Sequence, residues 1–206
     1  MIAIINYGLG NINAFVNIFK KASIPVTIAS KEDDLTGATK IILPGVGAFD
    51  HAMEKLNESG MRERLELLVV EQEIPVLGIC VGMQILAESS DEGKLNGLGW
   101  VKGKVRKFDT SNMTEKTHLP HMGWNEVKPL VKNSLFEKIS KKPLFYFLHS
   151  YYFECKNEEN TLAVADYVGG DFTCAVKVKN IYGVQFHPEK SHSAGVQLLT
   201  NFATLS

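Results

Sequence analysis

Apolar positions along the first half of the chain fall into two alternating patterns. Ile2 to Ile5 is an unbroken apolar run of strand length that ends in Tyr7-Gly8-Leu9-Gly10-Asn11. In Ile12 to Ala22, the residues Ile12, Phe15, Val16 and Phe19 recur at helical spacing. Pro25 to Ala29 and Lys40 to Leu43 predict further strands, the second stopped by Pro44-Gly45. Helical patterns fill Asp50 to Leu56 and Met61 to Gln72; Pro75 to Ile79 predicts a buried strand and Gly82 to Glu88 a helix. Strand and helix alternating in this way imply a parallel sheet with helices on both faces.

The second half changes character. Trp100 to Phe108, Asn125 to Lys128, Leu144 to Phe153, Leu162 to Val168, Cys174 to Val178 and Ile181 to Phe186 all read as strands. They are rich in Val, Phe and Tyr and are broken by Gly, Asn and Asp. A helix, Ala194 to Leu205, closes the pattern. The expected fold is therefore α/β, a three-layer sandwich with a mostly parallel central sheet plus antiparallel additions. Asp109 to Pro120 is expected to be a flexible loop.

Composition narrows the picture without redirecting it. The 206 residues suit a single domain, 1–206, with a substantial core. With 45% hydrophobic and 22% charged residues and a net charge of -1, the composition is that of a soluble globular protein. No basic surplus points to nucleic acid, and the opening MIAIINYGLG reads as neither signal peptide nor membrane span, so a cytoplasmic protein is expected. Cys80, Cys155 and Cys174 are odd in number and widely spaced, which argues against a disulfide framework. No spacing suggests a metal or cofactor site. His118 and His121 form an H-x-x-H with no nearby carboxylate or thiol, and read as part of a polar loop.

Two glycine-rich turns invite chemistry. Gly8-Leu9-Gly10-Asn11 lacks the third glycine of a dinucleotide fingerprint, Asn13 standing in its place. A tight strand-to-helix turn, with Asn11 as helix N-cap, fits better. Pro44-Gly45-Val46-Gly47 follows the third strand, where glycines let backbone N–H groups approach a ligand. Beside a nucleophile, such a loop donates to an oxyanion.

The nucleophile is offered by Gly78-Ile79-Cys80-Val81-Gly82. A G-x-C-x-G between a buried strand and a helix is the context of a nucleophile elbow. The start of the helix favours a thiolate and a tetrahedral oxyanion. Cys155 and Cys174 lack that setting and read as structural. The base is offered by Gly183-Val184-Gln185-Phe186-His187-Pro188-Glu189. In an extended segment His187 and Glu189 point to one side, so Glu189 orients the imidazole while His187 activates the thiol. On spacing alone, His51, His118, His121, His149 and His192 compete with His187.

These segments resemble the class I (triad) glutamine amidotransferases over essentially the whole chain. The elbow and Phe186-His187-Pro188-Glu189 carry the resemblance to the family. The Pro44-Gly45-Val46-Gly47 loop and Pro120-His121-Met122-Gly123-Trp124-Asn125 narrow it to HisH-like glutaminase subunits. The resemblance implies hydrolysis of L-glutamine through a Cys80 thioester, with His187 as general base and acid and Glu189 as its orienting carboxylate. It implies that Gly45, Val46 and Gly47, with the N–H of Val81, form the oxyanion site, the loop being rearranged under a partner's control. Gln84, Glu92, Ser150 and Tyr151 match positions that hold the glutamine head group. Leu9, Asn11, Trp124, Tyr146 and Lys190 match positions where ammonia leaves toward a synthase subunit, a HisF-type cyclase. Asn6, Val81 and Ser191-His192-Ser193 depart from that pattern. The last of these, with Phe145 to Tyr152, resembles paralogues that serve sugar amidotransferases of surface-polysaccharide synthesis.

Overall fold

A computed structural model describes residues 1–109, 111, 118–132 and 134–205. Most of the loop expected between Asp109 and Pro120 therefore lies outside the described residues.

Four apolar runs become neighbouring parallel strands. β1 (Ile2–Ile5), β2 (Val26–Ala29), β3 (Lys40–Gly45) and β4 (Val76–Cys80) pair in the order β2-β1-β3-β4. β13 (Ile181–Val184) extends them in parallel beside β4. β1, β4 and β13 are buried at every residue, which is why their sequences are continuous apolar runs without alternation. Beyond β13 the sheet turns antiparallel through β12 (Gly170–Val178), β11 (Thr161–Tyr167) and β8 (Lys128–Pro129), making eight strands.

Helices cover both faces. α1 (Ile12–Lys21) buries Phe15 and Phe19, and Asn11 caps it by accepting from the Ala14 N–H at 3.2 Å. α1 crosses from β1 to β2, whereas α2 (Phe49–Glu58) and α3 (Arg62–Glu66) cross from β3 to β4 in the opposite direction. Right-handed crossovers in opposite directions put their helices on opposite faces. α5 (His192–Thr204) packs with α1.

Two small sheets stand beside the eight-stranded one among the described residues. β5 (Ser89–Ser90), β6 (Gly103–Lys107) and β10 (Tyr151–Cys155) form one; β7 (His121–Glu126) and β9 (Leu144–His149) form an antiparallel ribbon. The strand expected over Leu144 to Phe153 is two strands, because the chain leaves the ribbon at Ser150 and joins another sheet; alternation does not reveal such a transfer. The helix expected over Gly82 to Glu88 ends at Gln84, as α4 (Val81–Gln84). The carbonyls of Ile85, Ala87 and Glu88 are instead taken by the N–H groups of Leu98, Gly99 and Gly97, at 2.8 to 3.0 Å. The helix over Met61 to Gln72 widens into a π-helical turn at Leu67–Glu71. His121 does not lie in a polar loop. It is 4% exposed within β7, a strand hidden in sequence by its His, Gly and Asn content.

Candidate active site

Cys80 occupies a sharp backbone turn at the C-terminal end of β4. It ends β4 and precedes α4 with φ 55° and ψ −115°, outside the regions an L-residue prefers. Packing around the turn holds that conformation in place. A Cβ on Gly82 would collide with the Leu43 carbonyl oxygen, and one on Gly78 would meet the Gly82 oxygen at 2.6 Å. The G-x-C-x-G spacing is thus a requirement of close backbone packing between β3, β4 and α4. Cys80 itself is 4% exposed and opens into a cavity of about 300 Å³.

His187 follows β13, the next strand along the sheet. Its Nδ1 lies 2.8 Å from Glu189 Oε1, and both side chains are nearly fully buried. Glu189 sits in a short 3₁₀ turn, Pro188–Lys190, so the pair meets across that turn and not along an extended strand as expected. Burial of His187 works against its charged form. Hydrogen bonds to Cys80 and Glu189, with the negative charge of both, outweigh it and raise its pKa to about 10. Glu189 Oε2 is buried without a hydrogen-bond partner among the described residues, so the carboxylate's charge is spent on the imidazole. The segment is pinned from behind. The His187 N–H donates to the Tyr146 carbonyl at 2.8 Å. The Ser191 hydroxyl donates to the His187 carbonyl at 2.6 Å and accepts from the Tyr146 N–H at 3.0 Å. Ser191, to which the sequence pattern assigned no role, is thus part of the clamp.

The cavity brings together Val46, Gly47, Cys80, Val81, Gln84 and Glu92, and beyond them Ser150, Tyr151, His187 and Lys190. Gly45 lies beneath it, in β3 beside Cys80. Gln84 faces inward and donates to the Tyr151 carbonyl at 3.2 Å and to Gln185 Oε1 at 3.1 Å. Glu92 accepts from the Phe49 N–H at 2.8 Å, which ties it to the start of α2. Residues not singled out in sequence support this frame. Gln185 is fully buried and directs Nε2 at Cys80 Sγ, 3.8 Å away. The Tyr7 hydroxyl donates to the Pro44 carbonyl at 2.7 Å; burial, then the charge of Cys80, pushes its pKa up. Tyr7 thereby holds the base of the Pro44-Gly45-Val46-Gly47 loop. A buried polar residue in an apolar stretch was the available signal for both.

Trp124, Tyr146 and Lys190 gather beside the cavity. Trp124 meets Tyr146 edge-on at 6.1 Å, and Lys190 Nζ lies 5.6 Å from the Tyr146 ring centroid. Exposed His192 stacks on Trp124 at 4.9 Å, within 7° of parallel. Leu9 and Asn11 stand on the turn between β1 and α1, where Gly10 packs against Pro44. Of the competing histidines, His149 also lines the cavity, but its Nδ1 is occupied by the Tyr151 carbonyl at 2.8 Å.

A strand-to-helix elbow carrying cysteine, facing a histidine–carboxylate pair across a parallel sheet, defines an α/β protein with cysteine-hydrolase geometry. The family model for class I glutamine amidotransferases matches residues 3–205, and the chain belongs to that family. Curated relatives include the imidazole glycerol phosphate synthase subunit HisH of Bdellovibrio bacteriovorus, 60% identical over 205 residues and covering 100% of both chains. The HisH subunit of Leptospira interrogans is 54% identical with the same coverage. Among solved structures, a glutamine amidotransferase superposes with a TM-score of 0.75 at 18% identity, covering 99% of both chains. PurLQS from Thermotoga maritima gives 0.72 at 15%, covering 98% of this chain and 96% of that one. These two share the fold.

Proposed function

We propose that this chain is the glutaminase subunit of an imidazole glycerol phosphate synthase. It hydrolyses L-glutamine and passes ammonia to a HisF-type cyclase in the cytoplasm. The cyclase uses the ammonia to make imidazole glycerol phosphate and aminoimidazole carboxamide ribotide, in histidine biosynthesis. The observation that carries the reading is the strained Cys80, buried within reach of the His187–Glu189 pair at the floor of one cavity.

In the proposed mechanism, Cys80 Sγ attacks the side-chain amide carbon of glutamine. The oxyanion accepts from the N–H groups of Val46 and Val81, and Gly45 and Gly47 let the loop reach it. The C–N bond breaks as His187 passes its proton to the departing nitrogen, which leaves ammonia and a γ-glutamyl thioester. His187 then takes a proton from water, the hydroxide attacks the thioester, and glutamate leaves as Cys80 is regenerated. Glu189 holds the imidazole in the tautomer that both steps require. Gln84, Glu92, Ser150 and Tyr151 hold the head group. Leu9, Asn11, Trp124, Tyr146 and Lys190 face the synthase subunit.

The high-identity, full-length HisH relatives favour the cyclase over a sugar amidotransferase as partner. The family match disfavours an unrelated cysteine hydrolase. The test is glutamate release from glutamine by the chain alone, then with a HisF-type cyclase and its nucleotide ligand. Strong stimulation is expected. A chain that folds and keeps a reactive Cys80 but gains nothing from the liganded cyclase would refute the partner assignment.

A further inference from the structure

Behind the cavity a chain of hydrogen bonds, buried where its two histidines meet, crosses three sheets, and its two ends dictate its direction. At one end Asn125 Nδ2 lies 2.7 Å from the Asp166 carbonyl on β11. A carbonyl only accepts, so this atom is the amide nitrogen, and the Asn125 oxygen accepts from the Glu126 N–H at 2.8 Å. The same nitrogen stands 3.3 Å from His121 Nε2, which must then be the bare, accepting nitrogen. His121 Nδ1 carries the hydrogen and points it at His149 Nε2, 3.1 Å away. At the far end His149 Nδ1 lies 2.8 Å from the Tyr151 carbonyl, again an obligate acceptor. Each histidine therefore has one permitted form: neutral, with hydrogen on Nδ1 and Nε2 bare. A second proton on either would set two N–H groups face to face.

The surroundings agree with this assignment. His121 is stacked between Phe147 at 4.8 Å and Tyr167 at 3.8 Å. Phe108 and Phe172 pack on His149 at 5.5 and 5.3 Å. His149, Ser150 and Tyr151 line the cavity, and Ser150 is where the chain passes from β9 to β10.

We infer that Asn125, His121 and His149 form a one-way positioning relay that holds the Ser150–Tyr151 turn in the shape glutamine binding requires. His149 clamps the turn directly, with Gln84 sharing the Tyr151 carbonyl; His121 and Asn125 fix the His149 ring. The inference rests on the glutaminase reading of the cavity. It assigns to the P-H-M-G-W-N segment a task on the substrate side as well as at the partner face.

Substitution by Asn or Gln tests the direction of the relay. Asn places an amide N–H near the Nδ1 position, whereas Gln extends toward Nε2. If the relay acts through Nδ1–H, His149→Asn and His121→Asn keep KM for glutamine within about threefold, whereas His149→Gln and His121→Gln raise it about tenfold at nearly unchanged kcat. A role in filling space would rank them the other way, since Gln is nearer in volume to His. Labelling of Cys80 by a glutamine-analogue affinity reagent is expected to slow in the Gln variants, while labelling by iodoacetamide stays at the wild-type rate and reports an intact elbow. Equal behaviour of the Asn and Gln variants, or a lower kcat at unchanged KM, would overturn the relay. So would ¹⁵N spectra showing hydrogen on Nε2 of either histidine at neutral pH. A wild-type chain that takes iodoacetamide but not the glutamine analogue would overturn the glutaminase reading itself, and that outcome is distinct.

Discussion

The two walls of the cavity are built by different means. On the parallel side, Cys80 is held by backbone packed on backbone, with Gly78 and Gly82 admitting contacts that no side chain would allow. On the antiparallel side, the Ser150–Tyr151 turn has a backbone bond, from the Phe108 N–H to the Ser150 carbonyl at 3.3 Å, and is otherwise clamped by the side chains of His149 and Gln84. The first construction is rigid and tolerates almost no substitution at the contact. The second is adjustable, because each hydrogen bond contributes only about 1 kcal/mol and similar groups can replace its members. A nucleophile that must stand in a strained geometry belongs on the rigid wall, and a surface that must fit a substrate belongs on the adjustable one.

The largest expected effect falls on the chemistry that the rigid wall carries. Cys80→Ala is expected to lower glutamine-dependent synthesis by roughly 10⁴-fold or more while sparing synthesis fed with ammonium salts. Assaying the cyclase complex with each nitrogen source checks this. Equal loss on both would mean that Cys80 supports the structure and not the reaction. Within the triad, His187→Ala is expected to cost about 10³-fold in kcat, since it removes the proton carrier. Glu189→Gln should cost less, roughly tenfold to a hundredfold, because it only orients the base; the reverse ranking would refute these roles.

Substitution at the glycines probes the rigidity directly. Gly82→Ala forces a methyl group onto the Leu43 carbonyl and is expected to destabilise the chain by about 3 kcal/mol or more. Denaturant unfolding reads this effect. A near-neutral result would mean that β3 and α4 can separate and that the wall is not rigid.

Titration separates the walls by the direction of their pH dependence. His187 belongs to the triad; its folded pKa, held near 10, exceeds the ordinary 6.5. Its stabilisation is complete below about pH 6.5 and is lost as pH rises through 10. His149 and His121 belong to the adjustable wall, and burial lowers them to about 3 and about 4. Between about pH 6.5 and 3 the unfolded chain binds protons that the folded chain refuses, so stability falls as pH drops through that window. Melting temperature against pH should therefore fall on both sides of neutrality. Cys80→Ala should flatten the alkaline limb and His149→Asn the acid limb; the opposite assignment of limbs would refute these origins.

The smallest expected effect is Tyr7→Phe, which leaves the Pro44 carbonyl without its donor. A loss of about 1 kcal/mol in unfolding free energy is expected, together with a larger fractional loss of kcat than of glutamine affinity. Unchanged kcat would show that the Pro44-Gly45-Val46-Gly47 loop keeps its shape without Tyr7.

The features that follow from local backbone rules were legible in the order of residues alone. Buried parallel strands appear as unbroken apolar runs, as in Ile2 to Ile5 and Pro75 to Ile79. A strained elbow must carry glycines two residues to either side, so Gly78 and Gly82 marked Cys80 before any contact was known. His187 and Glu189 lie two apart, so their meeting was legible, although the turn that brings it about was not. The remaining features arise from contacts between distant segments. β7 inverts the usual alternation, with Met122 and Trp124 exposed and His121 buried, and exists because β9 pairs with it. α4 ends early because distant N–H groups claim the carbonyls beyond Gln84. His121 and His149 stand 28 residues apart, and nothing in either neighbourhood says that they touch. Contacts between distant residues leave no period in a sequence, and the direction of their hydrogen bonds depends on which carbonyl lies at each end of the chain of bonds.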